Sequence, residues 1–511
     1  MKIRQWTRAA AVAAAAGLAL TACSGGGGSS SGATEDDAPQ TLRLSQAAPP
    51  ANFQIGNWAG GDATLFLSVY DTIVHRGVDG ELEPAIAESW EYNEDRTQLT
   101  LDIRDGMEFT NGEPVDAEAV VASLEAARAG SSTAQNLASV QQVEATDEST
   151  VVVTLAQPDG ALVDSLSSTV GAVGAPDVLT AEESKLSPIG SGPYTLSAES
   201  TVGSKYILEK NEDHWNADAY PYETVEVQVI ADPSASQNAV LSGQLDFAGL
   251  QSADALTQFP EDRFSSGVGK ANAVAVLWLV DREGKVVPAL SDVRVRQAIN
   301  LAFDRAGIEK NLNPGTNHAT NQIFSPEGEA FSEDLLEETP HDVDRAKELL
   351  AEAGYPDGFP VTMPSVTGIT TTYESVITQS LADIGVQVTW ESVPFQDFYA
   401  KVFGGNYGMF FMFNGFGGSP ALDFKTSTSG IFNPSGATTP ELQELVTSAY
   451  SASEEEQGEA YAAINEYLVA EAWYAPITYV TGFWVAPTTI DYTPPVAFGQ
   501  SVEPFQPAGS E

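Results

Sequence analysis

The chain contains one cysteine, Cys23, in 511 residues. No disulfide can therefore form within it, and no cluster of thiolates can bind a metal. The folded body must be stabilised by buried apolar surface, and hydrophobic residues make up 42% of the sequence. A single core rarely grows beyond ~250–300 residues. The sequence therefore predicts a body of at least two lobes.

The N-terminal segment has the pattern of a secretory signal peptide. Lys2, Arg4 and Arg8 precede an apolar run at residues 9–22. A basic region followed by a short apolar region is typical of export signals, and the run is shorter than the ~20 residues of a membrane-spanning helix. We therefore expect residues 1–22 to be removed on export.

The sequence LTAC at residues 20–23 resembles the lipobox of bacterial lipoproteins. This resemblance implies that Cys23 is lipidated and becomes the first residue of the mature chain. Residues 24–32 are all Gly or Ser, a composition typical of a flexible tether, so we exclude residues 23–40 from the fold. We expect an extracytoplasmic protein, at the cell surface or in the periplasm, anchored to the membrane by lipid. The alternative is an ordinary signal peptide with an incidental cysteine.

Charge and motif content argue against several classes of function. Asp and Glu number 71 against 23 Lys and Arg, which gives a net charge of −48 and disfavours nucleic acid as a partner. The four histidines show no zinc-ligand spacing, so each is interpreted as a surface or satisfied structural residue: His75, His214, His318 and His341. No nucleophile elbow, phosphate-binding loop or dinucleotide motif is present. We predict a binding protein that is not an enzyme and has no metal site or cofactor.

Hydrophobic periodicity predicts a mixed α/β body. The predicted strands lie at 41–44, 99–103, 151–155, 225–229 and 386–390, and the predicted helices at 116–129, 342–353 and 373–384. Asp116 and Asp342 are candidate N-caps of the first two helices.

Four stretches carry a family resemblance. They read LEPAIAESW with LDIRDGMEFTNGEPV at 82–115, GSGPY with LEKNEDHWN at 190–216, LSGQLDF at 241–247 and DVRVRQAINLAFDR at 292–305. Together, and in this order, they resemble the solute-binding proteins of oligopeptide-, dipeptide- and nickel-type ABC importers (family 5 solute-binding proteins).

The resemblance implies a periplasmic-binding-protein-like α/β fold of two lobes joined by a hinge, with an extra domain inserted in lobe I. The implied boundaries are lobe I at 41–78, 187–272 and 482–511, the inserted domain at 79–186, and lobe II at 273–481. The chain would cross the hinge near Ala273–Leu279 and Val480–Val485. A ligand would be held in the cleft between the lobes.

The implied function is capture of a small-molecule or peptide ligand and its delivery to an ABC permease in the cytoplasmic membrane. Peptides are the ligands most often assigned to this family, and the protein is expected to be a monomer. An oligosaccharide, an opine or an aromatic compound remains an alternative ligand. A surface receptor or adhesin without a transport role, and an enzyme on the same scaffold, are the alternative classes of function.

The segment at 407–422 departs from the peptide-binding members, because it lacks the acidic residue that pairs with a ligand ammonium. Asp423 is the nearest possible substitute. Apart from that carboxylate, the expected contacts are aromatic rings and exposed backbone. If residues 410–413 form a strand, Phe410 and Met412 share one face and Phe411 and Phe413 the other, with one face in the core and the other on the cleft. The candidate ligand-binding residues are Phe53, Trp58, Trp278, Tyr373, Phe413, Asn414, Gly415, Phe416, Asp423 and Trp484.

The lipid anchor leads to a first prediction. Cys23→Ser removes the acylated thiol, so the protein should appear as an uncleaved precursor or be released from the membrane. Fractionation with immunoblotting measures both outcomes, and Ser24→Ala serves as the neighbouring control. A mature-sized Cys23→Ser protein that stays in the membrane fraction would show that the anchor lies elsewhere.

Overall fold

The computed structural model of the protein describes residues 41–58, 63–179, 181–250, 252–312, 318–497, 499 and 501–509. The predicted signal segment, Cys23 and the tether lie outside the described residues. No helix among those described is both long and apolar enough to cross a membrane.

The strands of the described residues are β1 (Thr41–Gln46), β2 (Val74–Arg76), β3 (Leu82–Pro84), β4 (Ala87–Tyr92), β5 (Gln98–Ile103), β6 (Val140–Ala145), β7 (Thr150–Leu155), β8 (Tyr194–Leu196), β9 (Lys205–Lys210), β10 (Thr224–Val229), β11 (Ala248–Leu250), β12 (Phe264–Val268), β13 (Ala273–Leu279), β14 (His318–Ala319), β15 (Pro360–Ser365), β16 (Gln387–Ser392), β17 (Met409–Gly415), β18 (Ala475–Val480), β19 (Phe483–Pro487), β20 (Ile490–Tyr492) and β21 (Phe505–Pro507).

The α-helices of the same residues are α1 (Ala63–Val69), α2 (Ala117–Ala129), α3 (Leu162–Leu166), α4 (Pro233–Leu241), α5 (Ala253–Leu256), α6 (Val293–Leu301), α7 (Arg305–Leu312), α8 (Val343–Glu352), α9 (Thr371–Asp383), α10 (Phe395–Phe403), α11 (Pro420–Ser427), α12 (Pro440–Ser451) and α13 (Glu454–Ala470). The predicted strands and helices are confirmed to within a few residues at their ends. The side chains of Asp116 and Asp342 accept the hydrogen bonds expected of N-caps, from the backbone N–H groups of Ala119 and Arg345.

The first half of the body is built on two four-stranded sheets. One has the strand order β1-β10-β9-β8, with β1 and β10 parallel, and the other has the order β4-β5-β7-β6. Alternate residues of β5 and β7 are buried, and α2 lies beside β6 and β7 with Val120 and Leu124 in the same core. The period-2 pattern at 99–103 and 151–155 thus marks strands with one buried face.

The second half is built on the sheet β14-β18-β13-β17. In β13, residues Val274, Val276 and Trp278 belong to one core cluster, and Ala275, Leu277 and Leu279 belong to another. Helices α10, α12 and α13 contribute to the first cluster, and helices α6, α8 and α9 to the second. A strand covered on both faces carries an unbroken apolar run, which is why AVAVLWL lacks polar alternation.

Two neighbouring connections join these halves. Residues 269–272 lead from β12 into β13, and residues 481–482 lead from β18 into β19. The backbone N–H of Gly269 donates to the carbonyl of Gly482 at 2.7 Å, and that of Asn272 donates to the carbonyl of Val480 at 3.2 Å. The chain therefore passes between the β11-β19-β12 sheet and the β14-β18-β13-β17 sheet twice, side by side.

The double burial of β13 leads to a prediction of stability. Leu277 is fully buried, so Leu277→Ala should lower the free energy of unfolding by about 2–5 kcal/mol through lost apolar contact and a residual cavity. Leu336 is 36% exposed, so Leu336→Ala should change it by no more than about 0.5 kcal/mol. Urea unfolding followed by tryptophan fluorescence compares the two variants. Equal losses would contradict the core placement of Leu277.

Candidate functional site

The two halves contact each other directly through hydrogen bonds and an ion pair. The guanidinium of Arg76 donates to the carbonyl of Gly418 at 3.2 Å, and the ammonium of Lys425 lies 2.8 Å from a carboxylate oxygen of Asp159. Lys425 also donates to the carbonyl of Asn136. Residues before 272 and residues between 407 and 425 thus form the two walls of one cleft.

A small polar cavity of about 60 Å³ lies in this cleft. Its lining residues are Leu67, Tyr70, Asp71, Thr72, His75, Arg76, Ser167, Ser168, Tyr220, Gly417, Ala497, Gly499 and Ser501. Gly417 comes from the loop after β17, and the other residues come from the first half and the C-terminal segment. The cavity therefore contacts both walls, as a site that joins two lobes must.

The charged groups at this cavity are paired with one another. Asp71 accepts hydrogen bonds from the imidazole of His214 at 3.0 Å and the hydroxyl of Ser191 at 3.0 Å. Arg76 forms a buried ion pair with Asp164 at 2.5 Å. The interpretation of His214 as a satisfied structural histidine agrees with its contact to Asp71.

His75 and Glu503 form a third pair at the cavity, with 3.0 Å between the imidazole Nε2 and a carboxylate oxygen. Burial by itself lowers the pKa of His75, but the hydrogen bond and negative charge of Glu503, with smaller effects of Glu83 and Asp71, outweigh it. The net effect is a raised pKa. The raised pKa extends the imidazolium form to higher pH, and in that form His75 pairs with the carboxylate of Glu503.

Asp423 lies behind the cavity wall. It is 1% exposed, and its two carboxylate oxygens accept the backbone N–H groups of Gly417 at 2.8 Å and Ser325 at 3.0 Å. Burial raises its pKa to about 7, although these two hydrogen bonds and the positive charge of Arg76 act in the opposite direction. The carboxylate is therefore directed at the backbone of its own loop, where it holds Gly417 in place, and not at the cleft.

The residues of β17 are buried on both faces, in contrast to the expected cleft-facing side. Phe410 and Met412 belong to one core and Phe411 belongs to the other, whereas Phe413 is partly buried. The aromatic run is explained by the position of β17 beside β13, because both strands separate the same two helix layers.

The end of β17 and the following loop approach the cleft. Gly415 is exposed, Phe416 is 1% exposed and packs 5.9 Å from the ring of Tyr479, and Asn414 is 1% exposed. Within the described part of the chain, the amide nitrogen of Asn414 has no hydrogen-bond partner. It is thus a buried donor beside the loop that carries Gly417.

Three of the other predicted residues are fully packed. Trp278 is 0% exposed and stacks on Phe432 at 4.0 Å, because β13 has no solvent-facing side. The hydroxyl of Tyr373 lies 2.9 Å from that of Thr478. Phe53 is 1% exposed, under the half-buried ring of Trp58.

Trp484 is half-buried on β19, next to the connection at 481–482. Its ring lies 5.2 Å from that of Tyr492, and its indole N–H has no partner among the described residues. Of the ten residues predicted to bind the ligand, none lines the described cavity, and Phe416 comes nearest in sequence, next to Gly417.

The structure adds Asp71, His75 and Arg76, which sequence reasoning did not assign to a site. They lie in DTIVHR at 71–76, where no motif spacing marks them. Their role depends on partners 88 to 428 residues away, such as Asp164 and Glu503. Within the described ranges, no group of three or more His, Cys, Asp or Glu side chains could hold a metal ion.

The raised pKa of Asp423 gives a pH prediction. Because the folded protein holds this proton more tightly than the unfolded chain, the free energy of unfolding should fall as the pH rises from about 4 to about 7. Asp423→Asn should remove that slope. An amide can accept only one of the two N–H donors, so the variant should be less stable by about 1–3 kcal/mol at pH 5.

The difference in free energy of unfolding between the wild type and Asp423→Asn should narrow towards pH 8, since only the wild type then carries a buried charge. Urea unfolding at pH 4, 5, 6, 7 and 8 measures this difference, with the exposed Asp357→Asn as the control. A difference that does not change with pH would contradict the raised pKa of Asp423.

Comparison with known proteins places this geometry in a family. A family model described as bacterial extracellular solute-binding proteins, family 5 Middle, matches residues 81–437. The nickel-binding periplasmic protein of Escherichia coli (strain K12) is 24% identical over 477 residues, which cover 86% of this chain and 89% of that protein.

Solved structures share the fold. The periplasmic binding protein DppA from Helicobacter pylori, in complex with the peptide STSA, matches with a TM-score of 0.78 at 21% identity, covering 91% of this chain and 98% of that one. The binding protein AgaA from A. tumefaciens R10, in complex with agropinic acid, matches with a TM-score of 0.78 at 22% identity, covering 92% and 99%. These matches show the two-lobed fold. Since the family model spans more than half of its length, the chain belongs to the family 5 extracellular solute-binding proteins, which bind small ligands for ABC importers.

Proposed function

We propose that this protein captures short peptides between Gly417 and the Asp71–Arg76 segment, where opening of the cleft enlarges the small polar cavity, and delivers them to an ABC permease. The observation that carries the proposal is the polar cavity itself, because its lining comes from both walls of the cleft. A solute that contacts both walls favours the closed arrangement by its differential affinity. The charged residues that sequence reasoning sought on the 407–422 loop would then be supplied by the opposite wall.

Two features support a ligand with an ammonium group. Asp71 lines the cavity, and its carboxylate can accept one more hydrogen bond besides the three from His214, Ser191 and Trp215. The other charged groups at the cavity form two ion pairs, His75 with Glu503 and Arg76 with Asp164. Asp71 is therefore the carboxylate at the cavity to which we assign the ammonium, and the DppA structure, which is in complex with the peptide STSA, supports a peptide ligand.

A non-peptide ligand is the second candidate. The loop at 407–422 has no acidic residue, and the AgaA match is in complex with agropinic acid. An opine, an oligosaccharide or an aromatic compound would not need an ammonium partner on that loop. The peptide and non-peptide alternatives differ in their dependence on Asp71.

The anchoring and domain organisation of the proposed function follow the sequence predictions. A monomer lipidated at Cys23 would stand off the membrane on the tether at 23–40. Lobe I would comprise 41–78, 187–272 and 482–511, with the inserted domain at 79–186 and lobe II at 273–481. The connections at 269–272 and 481–482 would act as the hinge, because they are the two short links between the sheets.

The cavity can be tested by filling it. Ser168 lines the cavity, so Ser168→Phe should abolish the thermal stabilisation that trialanine gives the wild type, whereas Ser266→Phe on the exposed surface of β12 should not. At 100 times its dissociation constant, a ligand stabilises the folded protein by ~2.7 kcal/mol. Both variants are first compared by unfolding without ligand, so that a loss of binding is not confused with a loss of folding.

The charge preference is tested with Asp71→Asn and the exposed control Asp79→Asn. Trialanine should bind more weakly to Asp71→Asn by about tenfold or more, as expected when a desolvated ammonium loses its counter-charge. Agropinic acid serves as the non-peptide probe. Trialanine binding that is unchanged in both Ser168→Phe and Asp71→Asn would contradict the proposed function, and selective binding of agropinic acid would favour the second candidate.

A further inference from the structure

Helix α10 carries aromatic rings on two adjacent faces, one buried and one exposed. Phe398 and Val402 are fully buried in the core below the helix. Phe395, Tyr399 and Phe403 follow at intervals of four residues on the other face, with exposures of 51%, 45% and 54%. Side chains four apart lie in line on a helix surface. Three half-exposed rings in a row are unusual on a soluble protein and mark a surface suited to contact with another apolar group.

Two of these rings border an open groove of about 290 Å³. Tyr399 and Phe403 line one side, and Gln135 and Asn136 line the other. Phe432 also lines it and stacks on the buried Trp278, with 4.0 Å between the ring centroids. The volume is close to the lower end of the ~300–1,000 Å³ that is typical of small-molecule sites, which suits a single aromatic group.

The lining of this groove is free of acidic side chains among the described residues, although the whole chain has a net charge of −48. Its one cation, Lys425, is bound to the carboxylate of Asp159 and to the carbonyl of Asn136. The remaining polar groups are amides and hydroxyls. Such a surface accepts a neutral or anionic group and offers no counter-charge to an ammonium.

The groove and the polar cavity lie on the same cleft. Gly417, three residues before helix α11, lines the cavity, and Lys425 and Thr426 near the end of that helix line the groove. Both sites also have their opposite wall in residues before 272. A solute held in the cavity could therefore extend towards the groove.

We propose that this aromatic groove is a second binding site, which takes the neutral or anionic aromatic group of a solute. Its role in capture rests on the proposed function, whereas the binding of an aromatic group does not. The ring would pack against Tyr399, Phe403 and Phe432, and amide groups of the solute would meet Gln135 and Asn136. The site thereby selects aromatic solutes that carry no positive charge on the portion it binds.

The test uses three small probes with ligand-observed NMR: N-acetyl-L-phenylalaninamide, N-acetyl-L-alaninamide and phenethylamine. The phenylalanine probe should bind saturably, and the alanine probe and the cationic phenethylamine should bind at least about tenfold more weakly. Phe403→Ala should lower the affinity for the phenylalanine probe by about fivefold or more. Phe395→Ala is the matched control, because it removes an equally exposed ring on the same helix that does not line the groove.

Each outcome bears on one proposal. Equal weakening by Phe395→Ala and Phe403→Ala, no effect of Phe403→Ala, or preferred binding of phenethylamine would overturn the aromatic groove. Ser168→Phe fills the cavity and should leave the phenylalanine probe unaffected. If trialanine still binds to Ser168→Phe while Phe403→Ala weakens binding of the phenylalanine probe, the cavity proposal is wrong and the groove proposal holds. If Ser168→Phe abolishes trialanine binding while Phe403→Ala leaves binding of the phenylalanine probe unchanged, the groove proposal is wrong and the cavity proposal holds.

Discussion

The pairing of β13 with β17 and β18 is the interaction on which the second half of the protein depends. Both faces of β13 are buried, so its alternate side chains form the centres of two separate cores. The backbone donors and acceptors of such a strand have no access to water and must be satisfied within the sheet. This requirement places β17 beside β13 through seven residue pairs, from Ala273 with Gly415 to Leu279 with Met409. The loop that carries Gly417 is positioned at the end of that ladder.

The same arrangement explains why Asp423 is buried. The loop from Gly417 to Ser419 leaves the edge of a sheet without a strand partner, and its N–H groups need acceptors. The carboxylate of Asp423 supplies one for Gly417 and another for Ser325, so a single side chain joins two loops. Burial raises the pKa of Asp423, and its two oxygens are already bound to backbone N–H groups, so the side chain is not free to bind a solute. The charges that face the cavity consequently come from the other wall.

The sequence predicted the class of fold and most of its elements. The strands at 99–103 and 151–155 and the helices capped by Asp116 and Asp342 are confirmed, because period, caps and glycine stops act over a few residues. The family resemblance is confirmed by the family model. The ligand-binding residues remain predictions, and the structure places one of them, Trp278, in a core, because both faces of β13 are covered. Neighbouring helices decide that burial, and strand periodicity does not reveal it.

The sequence by itself determined the local conformations and the total apolar surface. Together they require a mixed α/β body with more than one core and without disulfides. Tertiary structure alone decided which polar groups meet. Asp71 reaches His214, His75 reaches Glu503, and Arg76 reaches Asp164 and Gly418, across separations that no local pattern encodes. The physical reason is that electrostatic pairing depends on distance in space within a few ångströms. Folding of the first half with the C-terminal segment brings the three charged pairs that close, and the contact of Arg76 with Gly418 joins this half to the second.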